Sequence, residues 1–160
     1  MIASNVRFTF EPLDKRKHDR TAFSCGVEVL DTYLQQQASL NVEKRTAAVI
    51  VATPDGKTIA GYYTLSQYAI AVSDLPEDVY KKLRLPKYPV LPATLLGRLA
   101  RASAFRGKQV GEVLLMSACE RSLRLSREIA FVAMVVDAMD DAAAQFYSTY
   151  LWLSQTARSS

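Results

Sequence analysis

The segment 95–115, LLGRLARASAFRGKQVGEVLL, constrains the fold more than any other part of this chain. An apolar strand pattern with a glycine that permits a β-bulge leads to small and basic residues, a turn at 106–111 and an amphipathic helix. A glycine-rich loop at a helix start leaves backbone N–H groups unpaired where the helix dipole favours negative charge. Arg106 and Lys108 add positive charge. The segment predicts a pyrophosphate site, although a short basic turn is also common at an ordinary helix start.

Composition places the chain among ordinary globular proteins. Its 160 residues are 49% hydrophobic, which suits one domain spanning 1–160. The longest apolar stretches are strand-sized or interrupted by charge, and the first residues lack the apolar core of a signal peptide. We therefore expect a cytoplasmic protein with no membrane partner. A net charge of +4 and a pI near 9.1 permit an anionic partner without requiring one.

The cysteines and the single histidine carry no evident chemistry. Cys25 and Cys119 lie far apart with no second pair, which argues against a disulfide framework and against a zinc site. We expect reduced, buried thiols and no metal. His18 lies in the charged run 14–20 and is expected to be a solvated loop residue rather than a general base.

Hydrophobic periodicity predicts an alternation of strands and helices without repeats or linkers. Ser24 is expected to cap the first helix, and 54–57 to form a hairpin turn. The order β-α-β-β-α-β-α-β-α indicates an α/β or α+β fold with helices on both faces of a mixed central sheet. The predicted strands are 6–10, 46–53, 58–72, 93–101 and 129–136. The predicted helices are 27–42, a short helix that is capped by 74–77 and ends at Leu83, 108–126 and 140–150.

With this order, the 106–111 turn resembles the phosphate loop of the GCN5-related N-acetyltransferases. The family signature is Gln or Arg, two residues, Gly, one residue, then Gly or Ala, and Arg106 and Gly111 match its ends. Gln109 replaces the middle glycine. Because that glycine lets the backbone adopt positive φ near the phosphates, Gln109 is expected to strain the turn or to obstruct the diphosphate.

Three further motifs narrow the resemblance to the acetyltransferase toxins of type II toxin–antitoxin modules. They are Phe23-Ser24-Cys25-Gly26 with the helix that follows, Leu96-Gly97-Arg98-Leu99-Ala100, and Asp140-Asp141-Ala142-Ala143 leading to Phe146-Tyr147. The resemblance implies an acetyl-CoA-dependent enzyme that acetylates the amino acid on charged tRNA and so blocks translation. It also implies a homodimer and a ribbon-helix-helix antitoxin, through which alone the toxin meets operator DNA.

The same resemblance assigns roles in the cofactor site. The strand before the loop separates from its neighbour, and backbone groups of Leu99, Ala100 and Arg101 bind the pantetheine arm. Tyr147 is the general acid, although the aromatic pair it forms with Phe146 could also be part of the core. Asp140 lies where many members place an Asn that contacts pantetheine. The resemblance assigns binding of the pyrophosphate to Arg106 and to the backbone of Gly107, Lys108, Gln109, Val110 and Gly111.

Basic residues outside the loop could line a path for the tRNA acceptor end, because phosphate contacts need only positive charge on one face. Each of them could equally be a solvated surface charge. The candidates are Arg98, Lys44, Arg45, Arg84 and Lys87, with Arg101 beside them.

The C-terminal sequence departs from the family pattern. After Tyr150 the chain reads LWLSQTARSS, so we expect the final strand to be absent or very short. This departure and Gln109 favour one alternative, a catalytically weakened relative that binds the antitoxin. A second alternative is an acetyltransferase for small amines or protein amino groups.

Overall fold

A mixed five-stranded sheet in the order β1-β2-β3-β4-β5 organises the computed structural model, which describes residues 6–139 and 141–150. The first four strands are antiparallel to their neighbours, and β5 runs parallel to β4. The strands are β1 (Thr9–Pro12), β2 (Ala48–Thr53), β3 (Gly61–Ala71), β4 (Val90–Arg101) and β5 (Ala133–Val136). The helices are α1 (Glu28–Thr32), α2 (Ala38–Glu43), α3 (Glu77–Lys82), α4 (Val110–Leu125) and α5 (Asp141–Tyr150).

The predicted order of elements and the mixed sheet with helices on both faces are confirmed. One half of the core lies under α1 and α2 and contains Leu34 and Tyr62. The other half lies under α4 and contains Tyr63, Leu114 and residues of α5. In the described residues, no helix is both long and apolar enough to cross a membrane.

The predicted first helix is interrupted by a π-helical segment, Tyr33–Gln37, between α1 and α2. Leu30, Leu34 and Ala38 are buried at successive intervals of four residues. An α-helix has 3.6 residues per turn, so such a stripe drifts around the helix unless a wider turn corrects it. The predicted cap was wrong: Val27 precedes the helix, and no side chain caps it.

The β-bulge predicted at the glycine of the 95–115 segment is confirmed. The register between β3 and β4 shifts where Thr64 faces Arg98 and Leu65 faces Leu96, which leaves Gly97 as the additional residue on β4. The bulge falls immediately after the last pair that β4 forms with β5, between Leu96 and Val136. The bulge therefore lies where β4 stops pairing with β5 while it continues to pair with β3.

Candidate active site

Strand β4 extends beyond its neighbour β5, so part of one edge is open. Pairing runs from Ala93 to Leu96, and a hydrogen bond from Asp137 N–H to Leu96 O at 3.1 Å lies at its end. In the part of the chain that the structure describes, residues 97–101 have β3 on one side and no strand on the other. At about 3.3 Å per residue, this open edge is about 16 Å long. The strand separation implied by the resemblance is therefore present.

The antiparallel ladder decides which β4 backbone groups face the open edge. Ala102 N–H donates to Ala60 O at 2.8 Å, and hydrogen-bonded positions recur at every second residue. Ala100 occupies the next hydrogen-bonded position, so its N–H and C=O face β3. The backbone groups of Leu99 and Arg101 point to the open edge instead. Of the three residues expected to bind the pantetheine arm through their backbone, these two are placed to do so.

The loop between β4 and α4 places the N-terminus of α4 beside this open edge. A 3-10 turn at Ser103–Phe105 is followed by Gly107, at φ +79°, and Gln109, at φ +57° and ψ +30°. Because no side chain caps α4, the first-turn N–H groups of Val110 and Gly111 are available to a ligand. The arrangement has the geometry of an anion site at a helix start.

Gln109 adopts the left-handed conformation that glycine reaches without strain. The expected strain is therefore present, at a cost of about 1–2 kcal/mol for a residue with a Cβ atom. The side chain is exposed. Despite the missing glycine, the loop has the positive φ that the signature requires.

A cavity of about 300 Å³ joins the open edge, the start of α4 and α5. It brings together four residues predicted from the sequence: Leu99, Arg101, Gly111 and Tyr147. Its other lining residues are Glu112, Ala143 and Phe146. None of these three was predicted to be a site residue, although Ala143 and Tyr147 are four residues apart on α5 and so lie on one helix face.

Tyr147 belongs to the core under α4 and also lines the cavity. The residue is 4% exposed and makes an edge contact with Phe146 at 5.5 Å between ring centroids. Burial raises the pKa of Tyr147 to about 12, and the negative charge of Asp137 acts in the same direction. The phenol is therefore protonated at neutral pH and available as a proton donor.

A second cavity of about 300 Å³ lies on the opposite face of β4, against α1 and the π-helical segment. The guanidinium of Arg98 stacks over the Tyr33 ring, 3.6 Å from its centroid, and both residues line this cavity. Arg98 is thus partly buried rather than fully solvated. The remaining lining residues, none of which was predicted from the sequence to be a site residue, are Glu28, Val29, Thr32 and Gln37.

The other basic candidates lie outside both cavities. Lys44 and Arg45 follow α2, Arg84 and Lys87 follow α3, and all four are exposed. Arg45 and Arg84 have positive φ, a conformation common where helices end. Arg106 and Lys108 are exposed in the phosphate loop, with Lys108 Nζ 5.9 Å from the Phe105 ring centroid. Asp140 and the expected last strand fall outside the described residues.

The prediction for His18 was wrong, because the residue is 4% exposed. Its Nδ1 accepts the Asp14 N–H at 3.0 Å, and its Nε2 lies 2.5 Å from Glu11 Oε1. These contacts hold the loop after β1 in place, so His18 has a structural role.

Cys25 and Cys119 have free thiols as predicted, but both are only partly buried. Burial and the neighbouring Asp31 raise the pKa of Cys25 to about 11, which disfavours the nucleophilic thiolate at neutral pH.

Comparisons with known proteins give the site its context. The chain is 33% identical over 129 residues to the tRNA-acetylating toxin of Mycobacterium tuberculosis (strain ATCC 25618 / H37Rv), covering 81% of this chain and 75% of that protein. It is 28% identical over 130 residues to the probable toxin TacT of Sinorhizobium fredii (strain NBRC 101917 / NGR234), covering 81% and 71%. No protein-family model matches the chain.

Solved structures with the same fold include AtaT complexed with acetyl-methionyl-tRNAfMet, with a TM-score of 0.79 and 25% identity over 89% of this chain and 85% of that one. AtaTR bound with acetyl-CoA gives a TM-score of 0.76 and 25% identity over 89% and 83%. A tyrosine-to-phenylalanine mutant of KacT gives 0.80 and 26% over 89% and 84%.

The separated strands, the uncapped helix start and the buried tyrosine lie together on a fold shared with these structures. The identity to the mycobacterial protein, over three quarters of its length, is specific enough to define the family. The chain belongs to the tRNA-acetylating toxins of the GCN5-related N-acetyltransferase type.

Proposed function

We propose that this chain transfers an acetyl group from acetyl-CoA to the α-amino group of aminoacyl-tRNA and thereby blocks translation. The observation that carries the proposal is the single cavity in which the open edge of β4, the start of α4 and Tyr147 meet. The family of the chain and the ligands of its structural neighbours, acetyl-CoA and acetyl-methionyl-tRNAfMet, support the same activity.

The residues of the cavity and of the loop beside it fit the chemical parts of acetyl-CoA. First-turn N–H groups of α4 and the charges of Arg106 and Lys108 suit its diphosphate. The outward backbone groups of Leu99 and Arg101 suit its extended, amide-containing arm. When bound, acetyl-CoA supplies an acetyl group activated as a thioester.

Tyr147 then performs the acid step. Its hydroxyl, protonated at neutral pH, donates a proton to the leaving thiolate when the neutral amine displaces it, and the excess proton on the new amide nitrogen restores the phenol. Burial keeps this proton on the phenol at neutral pH, because a phenolate would lose hydration inside the protein. That KacT was also studied as a tyrosine-to-phenylalanine mutant is consistent with a tyrosine of special interest in this family.

The aminoacyl-tRNA is proposed to approach from the Arg98 side of β4. Leu99 and Arg98 are consecutive on the open edge and line cavities on opposite faces of the sheet. An amine in the Arg98 cavity would thus be separated from the thioester only by this edge. Lys44, Arg45, Arg84 and Lys87 are exposed and remain candidates for contacts with tRNA phosphates.

The partners follow from the toxin family. We propose a ribbon-helix-helix antitoxin that neutralises the chain and links it to operator DNA, a homodimer, and action in the cytoplasm, where charged tRNA is used. The toxin relatives support this assignment.

The test combines purified protein, labelled acetyl-CoA and a mixture of charged tRNAs, with Tyr147→Phe as the matched variant. We expect label on the aminoacyl group for the wild type and a rate about 10²- to 10⁴-fold lower for Tyr147→Phe, because a general acid is removed without changing the shape of the cavity. Affinity for CoA, measured by calorimetry, should be unchanged.

Two results would contradict the proposal. Label that reaches only small amines or protein amino groups would indicate a different acceptor. No label on any acceptor, together with no binding of acetyl-CoA, would reject the enzyme altogether.

A further inference from the structure

The β-bulge at Gly97 directs the side chain of Arg98 into the cavity beside α1. Leu96 belongs to the half of the core under α4, whereas Arg98 lies over Tyr33 in the half under α1. Residues two apart on a regular strand share a face, so it is the additional residue in β4 that separates Leu96 from Arg98. Bulges commonly redirect a side chain in this way beside a functional site.

The guanidinium of Arg98 is held on a rigid aromatic stack. Its Cζ atom lies 3.6 Å from the centroid of the Tyr33 ring. That ring stacks on Tyr62, with 6.2 Å between centroids and 19° between ring planes, and both rings are buried. Asn41 Nδ2 donates to the Tyr33 hydroxyl at 2.8 Å, and the Tyr62 hydroxyl donates to Leu30 O at 2.7 Å. The cation therefore has a fixed position, which lowers the entropy cost of binding a ligand.

The donors of this guanidinium are not used by the described part of the chain. The Arg98 side chain takes part in no hydrogen bond and no ion pair among the described residues. In the same residues, one buried side-chain nitrogen lacks a partner, and it belongs to Arg101, so the unpaired nitrogens of Arg98 are accessible. Stacking on Tyr33 occupies one face of the guanidinium and leaves its N–H groups for an acceptor. Arg98 thus presents a positioned set of donors where it lines the cavity.

The chemistry of charged tRNA indicates which anion these donors meet. The carboxyl group of its amino acid is esterified, so the anions nearest to the α-amine are phosphates. A planar guanidinium matches two oxygens of a phosphate. Glu28 lines the same cavity without forming an ion pair with Arg98, and its carboxylate suits the ammonium form of the amine. The cavity therefore offers a partner for each of the two charges of an aminoacyl nucleotide.

We infer that the guanidinium of Arg98 binds the phosphate of the 3′-terminal nucleotide of the aminoacyl-tRNA and so positions the α-amine at the edge of β4. This inference rests on the proposed function, because it names the part of the acceptor that the cavity recognises. Arg98 is a binding residue for the acceptor, whereas Leu99, the next residue, faces the cofactor.

The test compares two small acceptors that differ by one phosphate. Both carry the aminoacyl group that is labelled in the mixture of charged tRNAs, joined by a stable amide to 3′-amino-3′-deoxyadenosine, and one of them has a 5′-phosphate. For the wild type, we expect the phosphate to lower KM by about 10- to 100-fold, because a charged pair of hydrogen bonds is formed. In Arg98→Met this advantage should disappear through a higher KM for the phosphorylated acceptor alone, with kcat unchanged.

Two further variants are measured at the same ionic strength, because salt screens contacts with phosphate. Arg98→Lys keeps the charge but loses the planar donors and should retain part of the advantage. Arg124→Met removes an exposed arginine in the last turn of α4 and should retain all of it. CoA affinity, measured by calorimetry, should be equal in the wild type and Arg98→Met, which shows that the variant is folded with an intact donor site.

Each alternative result overturns the assignment in a recognisable way. An equal rise of KM for both acceptors in Arg98→Met would place the contact on the ribose or the aminoacyl group. Unchanged KM values with a lower unfolding temperature would leave Arg98 a purely structural role in the stack. A wild type that labels charged tRNA but does not use or distinguish the small acceptors would place the recognised phosphate elsewhere. Failure of the wild type to label charged tRNA would instead count against the proposed function itself.

Discussion

Gln109 and Gly107 share a left-handed backbone conformation that only glycine adopts without strain. Gln109→Gly should raise the free energy of unfolding by about 0.5–1 kcal/mol, because relief of the strain outweighs the greater entropy of glycine in the unfolded chain. Urea unfolding measures this change. Affinity for CoA should stay equal or rise, since the exposed glutamine side chain is removed from the phosphate loop.

Two substitutions at the same loop provide the controls. Gln109→Ala retains the Cβ atom and should bring no gain in stability, whereas Gly107→Ala should lose about 1 kcal/mol. No heavy atom lies within 4 Å of a Cβ built on Gly107, so that loss would come from the backbone alone. If Gln109→Ala and Gln109→Gly stabilised the chain equally, the side chain rather than φ would be the source of strain.

Among the elements, β3, β4 and α4 approach one another closely at Gly61. A Cβ atom there would lie 2.7 Å from Leu114 Cδ1 and 2.8 Å from Ala100 O, and the second contact is with backbone. Gly61→Ala should therefore lower the free energy of unfolding by about 1–3 kcal/mol, measured by urea unfolding. It should also weaken CoA binding, because the strand that must move carries Leu99 and Arg101.

Gly97→Ala is the matched comparison on β4. Its added methyl group would meet Thr64 Oγ1 at 3.3 Å, a side-chain atom that can shift, so the loss of stability should be smaller. An equal loss at both positions would show that the bulge, rather than the close contact at Gly61, limits the packing of this region.

The helices and strands were predictable from the sequence where the local hydrophobic pattern agrees with the pairing in the folded chain. The residues at which they begin and end were less predictable. Strand β1 was predicted to end at Phe10, but it continues to Pro12. An edge strand tolerates proline where the backbone N–H that proline lacks is not needed for pairing. The predicted start of β5 at Ile129 was too early. Ile129 N–H donates to Leu125 O at 2.9 Å, so it completes the end of α4 instead of joining the sheet.

The two ends of the candidate site were predictable from the sequence, since the phosphate loop and Tyr147 lie in local motifs. The open edge between them depends on where β5 stops pairing, and the resemblance to the family supplied it rather than any local pattern. The Nε atom of Arg101 is buried and has no hydrogen-bond partner in the described part of the chain, which could not be predicted at all. Whether a side-chain atom finds a partner depends on neighbours that meet only in the folded chain.

At the scale of the whole molecule, each half of the core contains a tyrosine that ionises less readily in the folded chain than in the unfolded chain. Tyr62 lies under α1 and donates to Leu30 O at 2.7 Å, while Tyr147 lies in the half under α4. Burial raises the pKa of both, that of Tyr147 to about 12. In the unfolded chain a tyrosine ionises near pH 10.

The sign of the resulting pH dependence follows from proton binding. Above about pH 10 the unfolded chain releases protons that the folded chain retains, so stability is full below pH 10 and falls as the pH rises towards 12. For Tyr147 the slope approaches about 1.4 kcal/mol per pH unit within that interval. Tyr147→Phe should therefore lose less stability than the wild type between pH 9 and pH 11.5 in urea unfolding. Tyr88→Phe, which removes an exposed hydroxyl, should retain the full decline. Parallel curves for the wild type and Tyr147→Phe would mean that the phenol is solvated in the folded protein, and its assignment as a proton donor held by burial would fail with it.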